Sequence, residues 1–122
     1  WAEFAKMLSE HSALGHALLW AGEVEEARAT LDQAALRHPD DANLAYDQGV
    51  AAARLGHPAD AEAAMSRAVG ADPGLYDAWL ILAHLRAQRG DLRGAELALA
   101  RAEALPGAAD GRVAQLRAAL RR

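Results

Sequence analysis

The 122-residue sequence contains no cysteine, so it can form neither disulfides nor thiolate metal sites. It also lacks any uninterrupted run of about 18 apolar residues, the length that a membrane-spanning helix needs. We therefore expect no membrane insertion. Arginine greatly outnumbers lysine, which favours a bacterial source with a GC-rich genome. None of these features distinguishes the cytoplasm from the periplasm of a bacterium.

Basic residues are also fewer than acidic ones. The chain has 13 lysines and arginines against 17 acidic residues, a formal net charge of −4. Nucleic-acid binding normally requires a clustered basic face that displaces counterions from the phosphates. The arginine-rich C-terminal segment is the one local candidate, and the charge of the whole chain opposes it. We therefore expect no nucleic-acid partner.

Aromatic residues make up only 5% of the chain, although 52% of it is hydrophobic. Alanine supplies much of that share, and alanine has the highest intrinsic helix propensity. This composition favours an all-α fold whose helices pack closely through small side chains.

A period of 34 residues is the most informative feature that is present. It separates Gly22 from Gly56 and Gly56 from Gly90, and it also separates Pro39 from Pro73. A fixed period of this length indicates a stack of like supersecondary units rather than one globular core. Stacked repeats usually function through an extended surface.

Aligning the units on these glycines brings small and apolar residues into common columns. The columns are Gly15, Gly49 and Ala83; Ala27, Ala61 and Ala95; Leu31, Met65 and Leu99; and Ala34, Ala68 and Ala102. Each unit is predicted to be a helical hairpin, in which the small residues of the first two columns let the helices approach closely. Leu14, Leu31, Leu82 and Leu99 are expected to fill the remaining space.

The predicted helices follow from this pattern and from the turn residues. The first helices of the hairpins are predicted at 9–21, 41–55 and 75–89, and the second helices at 24–37, 58–70 and 92–104. Glycine suits the left-handed position that ends each first helix. Asp91 is placed to cap the following helix, and Pro58 suits a first turn.

These columns resemble the tetratricopeptide repeat family over residues of about 8–106. The small residue, the turn glycine, the paired alanines and the closing proline all match, and Trp79 stands where the family often has tryptophan. The resemblance implies a single domain over 1–122, an α-solenoid with a right-handed superhelix. Its three repeats would span 8–41, 42–75 and 76–106, followed by a capping helix at about 109–121, whose Val113, Leu116 and Leu120 share one face.

No catalytic constellation is visible. The five histidines are spread along the chain, and neither an HExxH motif, a glycine-rich phosphate loop nor a nucleophile elbow occurs. His16 and His84 hold equivalent places two repeats apart, which is too far for a shared metal ion. We therefore expect no enzymatic activity, no catalytic residue, no metal site and no cofactor.

In the tetratricopeptide family, the first helices line a concave groove that commonly holds a peptide or a partner's helix. By resemblance, the groove-lining residues here are Ser12, His16, Leu19, Trp20, Asn43, Tyr46, Asp47, Val50, Arg54, Asp77, Leu80, Ile81, His84 and Gln88. Co-chaperone members grip a terminal carboxylate with a lysine–asparagine–arginine clamp. The corresponding places carry Ser12, His16, Asp47, Asp77 and Ile81. Two of these are acidic and none is a lysine or arginine, so a terminal carboxylate should be repelled. The expected ligand is apolar with a basic residue.

The resemblance therefore implies a non-catalytic protein–protein interaction module, a bacterial adaptor or an assembly scaffold. A structural repeat domain that self-associates is the alternative. In that case the terminal edges would mediate a homo-oligomer, with Trp1 and Phe4 as the apolar pair available for packing.

Overall fold

The computed structural model describes residues 14–106 and 110–120, and within these ranges it contains seven helical segments and no strand. The first, α1, is helical over 14–20. The others are α2 (Val24–Arg37), α3 (Ala42–Arg54), α4 (Pro58–Ala71), α5 (Tyr76–Gln88), α6 (Leu92–Glu103) and α7 (Arg112–Leu120). The all-α prediction is confirmed, and the bounds of α2 to α6 agree with the predicted ones within one residue. The predicted start of α1 lies outside the described residues.

Each hairpin turn is closed by the same glycine motif. Gly22, Gly56 and Gly90 have φ angles of 89°, 77° and 88°, the left-handed conformation that glycine adopts without a Cβ penalty. At the first turn the Gly22 amide donates to Leu19, and the Glu23 amide donates back to Leu18 at 2.9 Å. This pair of bonds satisfies the last carbonyls of the helix. The same pair recurs after α3 and after α5.

Side-chain caps begin two of the helices. A carboxylate oxygen of Asp41 accepts a hydrogen bond from the Leu44 amide at 3.1 Å, and Asp91 accepts one from the Gly94 amide at 2.9 Å. The predicted cap at Asp91 is confirmed. Pro58 is the first residue of α4, where its missing N–H costs nothing.

The chain divides into two compact units, Trp1–Ala71 and Asp72–Arg122. In the first unit, α3 packs against both α2 and α4. One core cluster of this unit consists of Leu19, Ala27, Leu31, Ala34, Leu44 and Ala51. The small residue at Gly15 allows a close approach of α1 to α2. A Cβ on Gly15 would lie 2.6 Å from Cδ2 of Leu31.

In the second unit, α5 packs against α6, and α7 contacts both. Its buried apolar residues include Leu82, Ala83, Ala95, Ala98, Leu99 and Ala102. Helix α7 is the predicted terminal helix. Its Val113 is buried, while Leu116 and Leu120 on the same face are half-buried. That residues 1–122 form a single domain stays a prediction.

Two expectations about apolar side chains are wrong. Leu14 was expected to fill space between helices, yet it is 51% exposed. Leu19 was expected to line the groove, yet it is fully buried in the core cluster. Both residues lie on α1, and the repeat columns do not fix which side of that helix meets α2 and α3. Among the described helices, none is both long and apolar enough to cross a membrane.

Candidate functional site

Four side chains on α1 and α3 form a contact network in the first unit, which we call the α1/α3 patch: His16, Trp20, Asp47 and Arg54. Trp20 and Arg54 stand 34 residues apart, at the same place in successive repeats. The other residues predicted on these helices differ in exposure. Asn43 is exposed, Tyr46 is half-buried, and Val50 is half-buried against the core cluster. Ser12 lies outside the described residues.

The acidic residue of this patch is not open to solvent. Asp47 is 7% exposed, and its Oδ2 lies 2.8 Å from Nδ1 of His16. As a carboxylate, Asp47 can only accept, so Nδ1 of His16 donates in this pair. The bond joins α3 to α1 and directs the other ring nitrogen of His16 away from Asp47. The groove was expected to show an acidic group here, whereas the accessible surface of the pair is the imidazole.

Trp20 and Arg54 form the exposed part of the patch. Trp20 is 64% exposed, and the guanidinium carbon of Arg54 lies 5.6 Å from the centroid of its ring. The imidazole of His16 lies 5.8 Å from the same indole and is tilted by 57°. Arg54 is fixed from behind, since its Nη1 donates to the carbonyl oxygen of Leu19 at 2.9 Å. A large aromatic surface is therefore held in place at the end of α1.

An apolar hollow lies between α5 and α7 in the second unit, which we call the α5/α7 depression. Its volume is about 400 Å³, and it is lined by Leu80, Ile81, His84, Arg112, Gln115 and Leu116. Pockets that accept organic ligands typically range from about 300 to 1,000 Å³. The depression brings together Leu80, Ile81 and His84 of the predicted site. Gln88 also lies on α5, where it is exposed, but it does not line the hollow.

Arg112 of α7 ties together the polar side chains of this unit. Its Nε donates to Asp110 at 2.6 Å, and its Nη1 lies 2.8 Å from Asp77. The guanidinium also lies 4.8 Å above the ring of Tyr76, whose hydroxyl donates to Asp110 at 2.9 Å. Asp77, predicted as an acidic group of the groove, is therefore paired with an arginine, although its side chain remains 55% exposed.

This network shifts the pKa values of Asp110 and Tyr76. The backbone N–H of Arg112 is the main cause that lowers the pKa of Asp110, helped by the Arg112 side chain and the Tyr76 hydroxyl. Partial burial, followed by the neighbouring Asp110, raises the pKa of Tyr76. The ionised form of Asp110 thus stabilises the start of α7.

Acid should loosen α7 through Asp110. Because its pKa is lowered in the folded chain, the stabilisation is fully present above the unfolded value of about 3.9 and is lost as the pH falls through the folded pKa. We expect the amide resonances of α7 to move in this acidic window in an NMR pH titration. Asp110→Asn should reduce the movement at the start of α7, whereas Asp40→Asn, at an exposed position, should leave it intact. An unchanged titration in Asp110→Asn would contradict this role.

The contribution of α7 to the depression was missed by the sequence reasoning, which placed the site on the first helices of three repeats. The 34-residue period contains the missing signal. Ile81 and Gln115 are 34 residues apart, as are Tyr76 and Asp110. Helix α7 therefore stands where the first helix of a fourth repeat would stand, and its side chains line the surface as those of a first helix do.

No group of three or more histidine, aspartate or glutamate side chains within residues 14–106 and 110–120 is arranged to hold a metal ion. The carboxylates of the two surfaces are instead bonded to other side chains, Asp47 to His16 and both Asp77 and Asp110 to Arg112. Such arrangements orient side chains and present them to a partner.

The comparisons agree with this architecture of helical hairpins. The family model described as tetratricopeptide repeat matches residues 12–76 and 46–111, two overlapping stretches that cover most of the chain. The chain belongs to the tetratricopeptide repeat family. The comparison with curated proteins gave no significant match.

Solved structures of similar fold include three in complex with a peptide or segment of another protein. The type III secretion chaperone SycD of Yersinia enterocolitica, with a peptide of the translocator YopD, has a TM-score of 0.86 at 19% identity, covering 95% of this chain and 93% of that one. PcrH with the chaperone-binding region of PopB has a TM-score of 0.79 at 26% identity, covering 94% of both chains. The second tetratricopeptide repeat domain of Spaghetti (RPAP3), bound to an HSP90 peptide, has a TM-score of 0.75 at 17% identity. The match covers 80% of this chain and 91% of that one.

Proposed function

We propose that this chain is a non-catalytic protein-binding module, an adaptor or assembly scaffold that holds a peptide or a partner's helix against its first-helix surfaces. The observation that carries the proposal is the α5/α7 depression, an open apolar hollow in a chain of 122 residues. The SycD, PcrH and RPAP3 complexes support it, because their partners are a peptide of YopD, the chaperone-binding region of PopB and an HSP90 peptide.

The chemistry of the depression suggests the kind of segment it would take. Leu80, Ile81 and Leu116 offer an apolar floor for one or two bulky side chains. Beside it, the carboxylates of Asp77 and Asp110 share the single guanidinium of Arg112, which leaves one net negative charge in that network. We propose an apolar segment with a lysine or arginine placed next to Asp77, whose side chain is more than half exposed.

Ile81→Asp should abolish most binding to the depression. A charge placed at this half-buried position would be desolvated by an apolar ligand, so we expect the Kd to rise by about tenfold or more. The measurement is fluorescence anisotropy with the tightest segment selected from a peptide display library. Leu97→Asp is the matched control, because it makes the same change at a position of α6 that is 62% exposed.

Two results would contradict the proposal: equal affinities for Ile81→Asp and wild type, or failure of the library to yield any segment. The basic residue is tested separately in the ligand. Replacing it with glutamine should weaken binding by about two- to fivefold, as expected for an exposed ion pair. The alternative function, self-association through the terminal edges, rests on Trp1 and Phe4. These residues lie outside the described ranges, so that alternative stays a prediction.

A further inference from the structure

The α1/α3 patch presents the chemistry of a second anchor point. Trp20 is the most exposed aromatic side chain in the described part of the chain, at 64%. The contacts with Arg54 and His16 restrict the indole without covering it. Tryptophan and arginine are the residues most enriched at the energetic centres of protein interfaces, since both combine large contact area with polar specificity. A fixed, uncovered indole next to a guanidinium is therefore suited to hold a ligand.

The ionised side chain that the patch exposes is a cation, because Arg54 is exposed whereas Asp47 is buried. Arg54 uses Nη1 for the carbonyl oxygen of Leu19, and no carboxylate of the described residues pairs with its guanidinium. A guanidinium has five N–H donors in a planar fork, and within residues 14–106 and 110–120 only the carbonyl oxygen of Leu19 accepts from Arg54. The nearby carboxylate of Asp47 is buried and bonded to His16. Among the described residues, the accessible ionised group of the patch is thus a cation whose remaining donors have no acceptor.

We propose that the α1/α3 patch binds an acidic side chain within a partner protein's segment, together with an adjacent apolar or aromatic side chain. The carboxylate accepts two hydrogen bonds from the outer edge of Arg54, the geometry in which arginine binds carboxylates most strongly. The neighbouring side chain packs on the exposed indole of Trp20. This inference rests on the proposed function. The α5/α7 depression was proposed to favour a basic residue in the ligand, whereas the α1/α3 patch favours an acidic one.

The test uses capped synthetic peptides as probes and the full chain labelled with ¹⁵N. Four hexapeptides, acetylated and amidated, carry at their centre Glu-Phe, Gln-Phe, Lys-Phe or Glu-Ala. Their C-terminal amides remove the terminal carboxylate. A fifth peptide, with phenylalanine at a free C-terminus, tests whether the patch binds a terminal carboxylate instead of a glutamate side chain. Titration followed by ¹H–¹⁵N NMR detects millimolar affinities and reports the Trp20 indole and the Arg54 side chain separately from α5 and α7.

We expect Glu-Phe to give saturable shifts at Trp20 and Arg54, with an affinity about three- to tenfold above that of Gln-Phe. Lys-Phe and Glu-Ala should bind more weakly still. Arg54→Gln should remove the preference for glutamate, while Arg54→Lys should restore only part of it because an ammonium lacks the planar fork. Arg101→Gln, at an exposed position of α6, should preserve the preference.

The proposal is overturned if Glu-Phe and Lys-Phe bind equally well, if no probe shifts the Trp20 indole, or if only the free C-terminus does so. The spectrum of Arg54→Gln shows directly whether the variant is folded, and Arg54→Lys provides the second measurement. Failure here is distinguishable from failure of the proposed function. If no probe shifts Trp20 while a selected segment still shifts α5 and α7, only the proposal that the α1/α3 patch binds an acidic side chain is rejected. The reverse pattern rejects the α5/α7 depression.

Discussion

Replacing Leu31 with alanine should lower the free energy of unfolding by about 2–5 kcal/mol, the range found when a buried leucine is truncated in a core that cannot collapse around the cavity. Leu31 is fully buried, and it contacts α1 at the position where Gly15 allows the two helices to approach. Its core cluster includes Ala27, Ala34 and Ala51, whose short side chains cannot reach into the space. The loss should therefore lie in the upper part of that range.

Urea denaturation followed by circular dichroism measures this effect, and α2 itself offers the control. Leu36 lies on the same helix and is 84% exposed. Leu36→Ala makes the same chemical change, has the same effect on helix propensity and removes no core contact, so we expect a change within about 0.5 kcal/mol. Equal losses in the two variants would show that Leu31 does not pack as the structure has it.

Gly15→Ala should destabilise the chain by about 1–3 kcal/mol, whereas Gly49→Ala should change its stability by less than about 1 kcal/mol. A Cβ on Gly15 would lie 2.7 Å from Cγ of Leu31, a branch point that moves only with the whole side chain. A Cβ on Gly49 would lie 2.8 Å from Cε of Met65, the terminal atom of a flexible side chain. In both variants alanine favours the helix, so the difference isolates the steric term.

A double-mutant cycle tests the cause of that difference. Leu31→Ala removes the atoms that the new methyl group would meet, so Gly15→Ala should become neutral or stabilising in that background. The coupling energy between the two positions should be about 0.5–3 kcal/mol. Additive effects would mean that the cost at Gly15 arises from something other than Leu31. The same cycle at Gly49 and Met65 should give a smaller coupling.

The helices could be predicted almost to the residue because their ends depend on local chemistry. Gly22, Gly56 and Gly90 end the first helices through their own backbone conformation, and Asp91 caps α6 by accepting from an amide only three residues away. Such signals require no knowledge of distant neighbours. The fold of the repeats follows from them, since a helix–turn–helix unit with one apolar face has few ways to stack.

The candidate site was harder to predict from the sequence than the helices. Asp47 and Asp77 were read as open acidic groups because both occur on first helices, but one is buried against His16 and the other is paired with Arg112. Each partner is about one repeat away along the chain. Pairings of this kind depend on side-chain rotamers and on the exact rotation of neighbouring helices. Aligning the repeats in the sequence gives information on neither. The same limit explains why Leu14 and Leu19 exchanged their expected environments.

The sequence separation of these contacts also bears on how the chain folds. His16 meets Asp47 across 31 residues, Arg28 meets Asp60 across 32, and Tyr76 meets Asp110 across 34. Each contact closes a loop of about one repeat, and the entropic cost of closing a loop grows only with the logarithm of its length. Within each unit, folding can therefore proceed as soon as both residues of such a contact have left the ribosome. In a repeat chain stability is approximately a sum of repeat and nearest-neighbour terms, so losing one terminal repeat should remove only the contacts that this repeat makes.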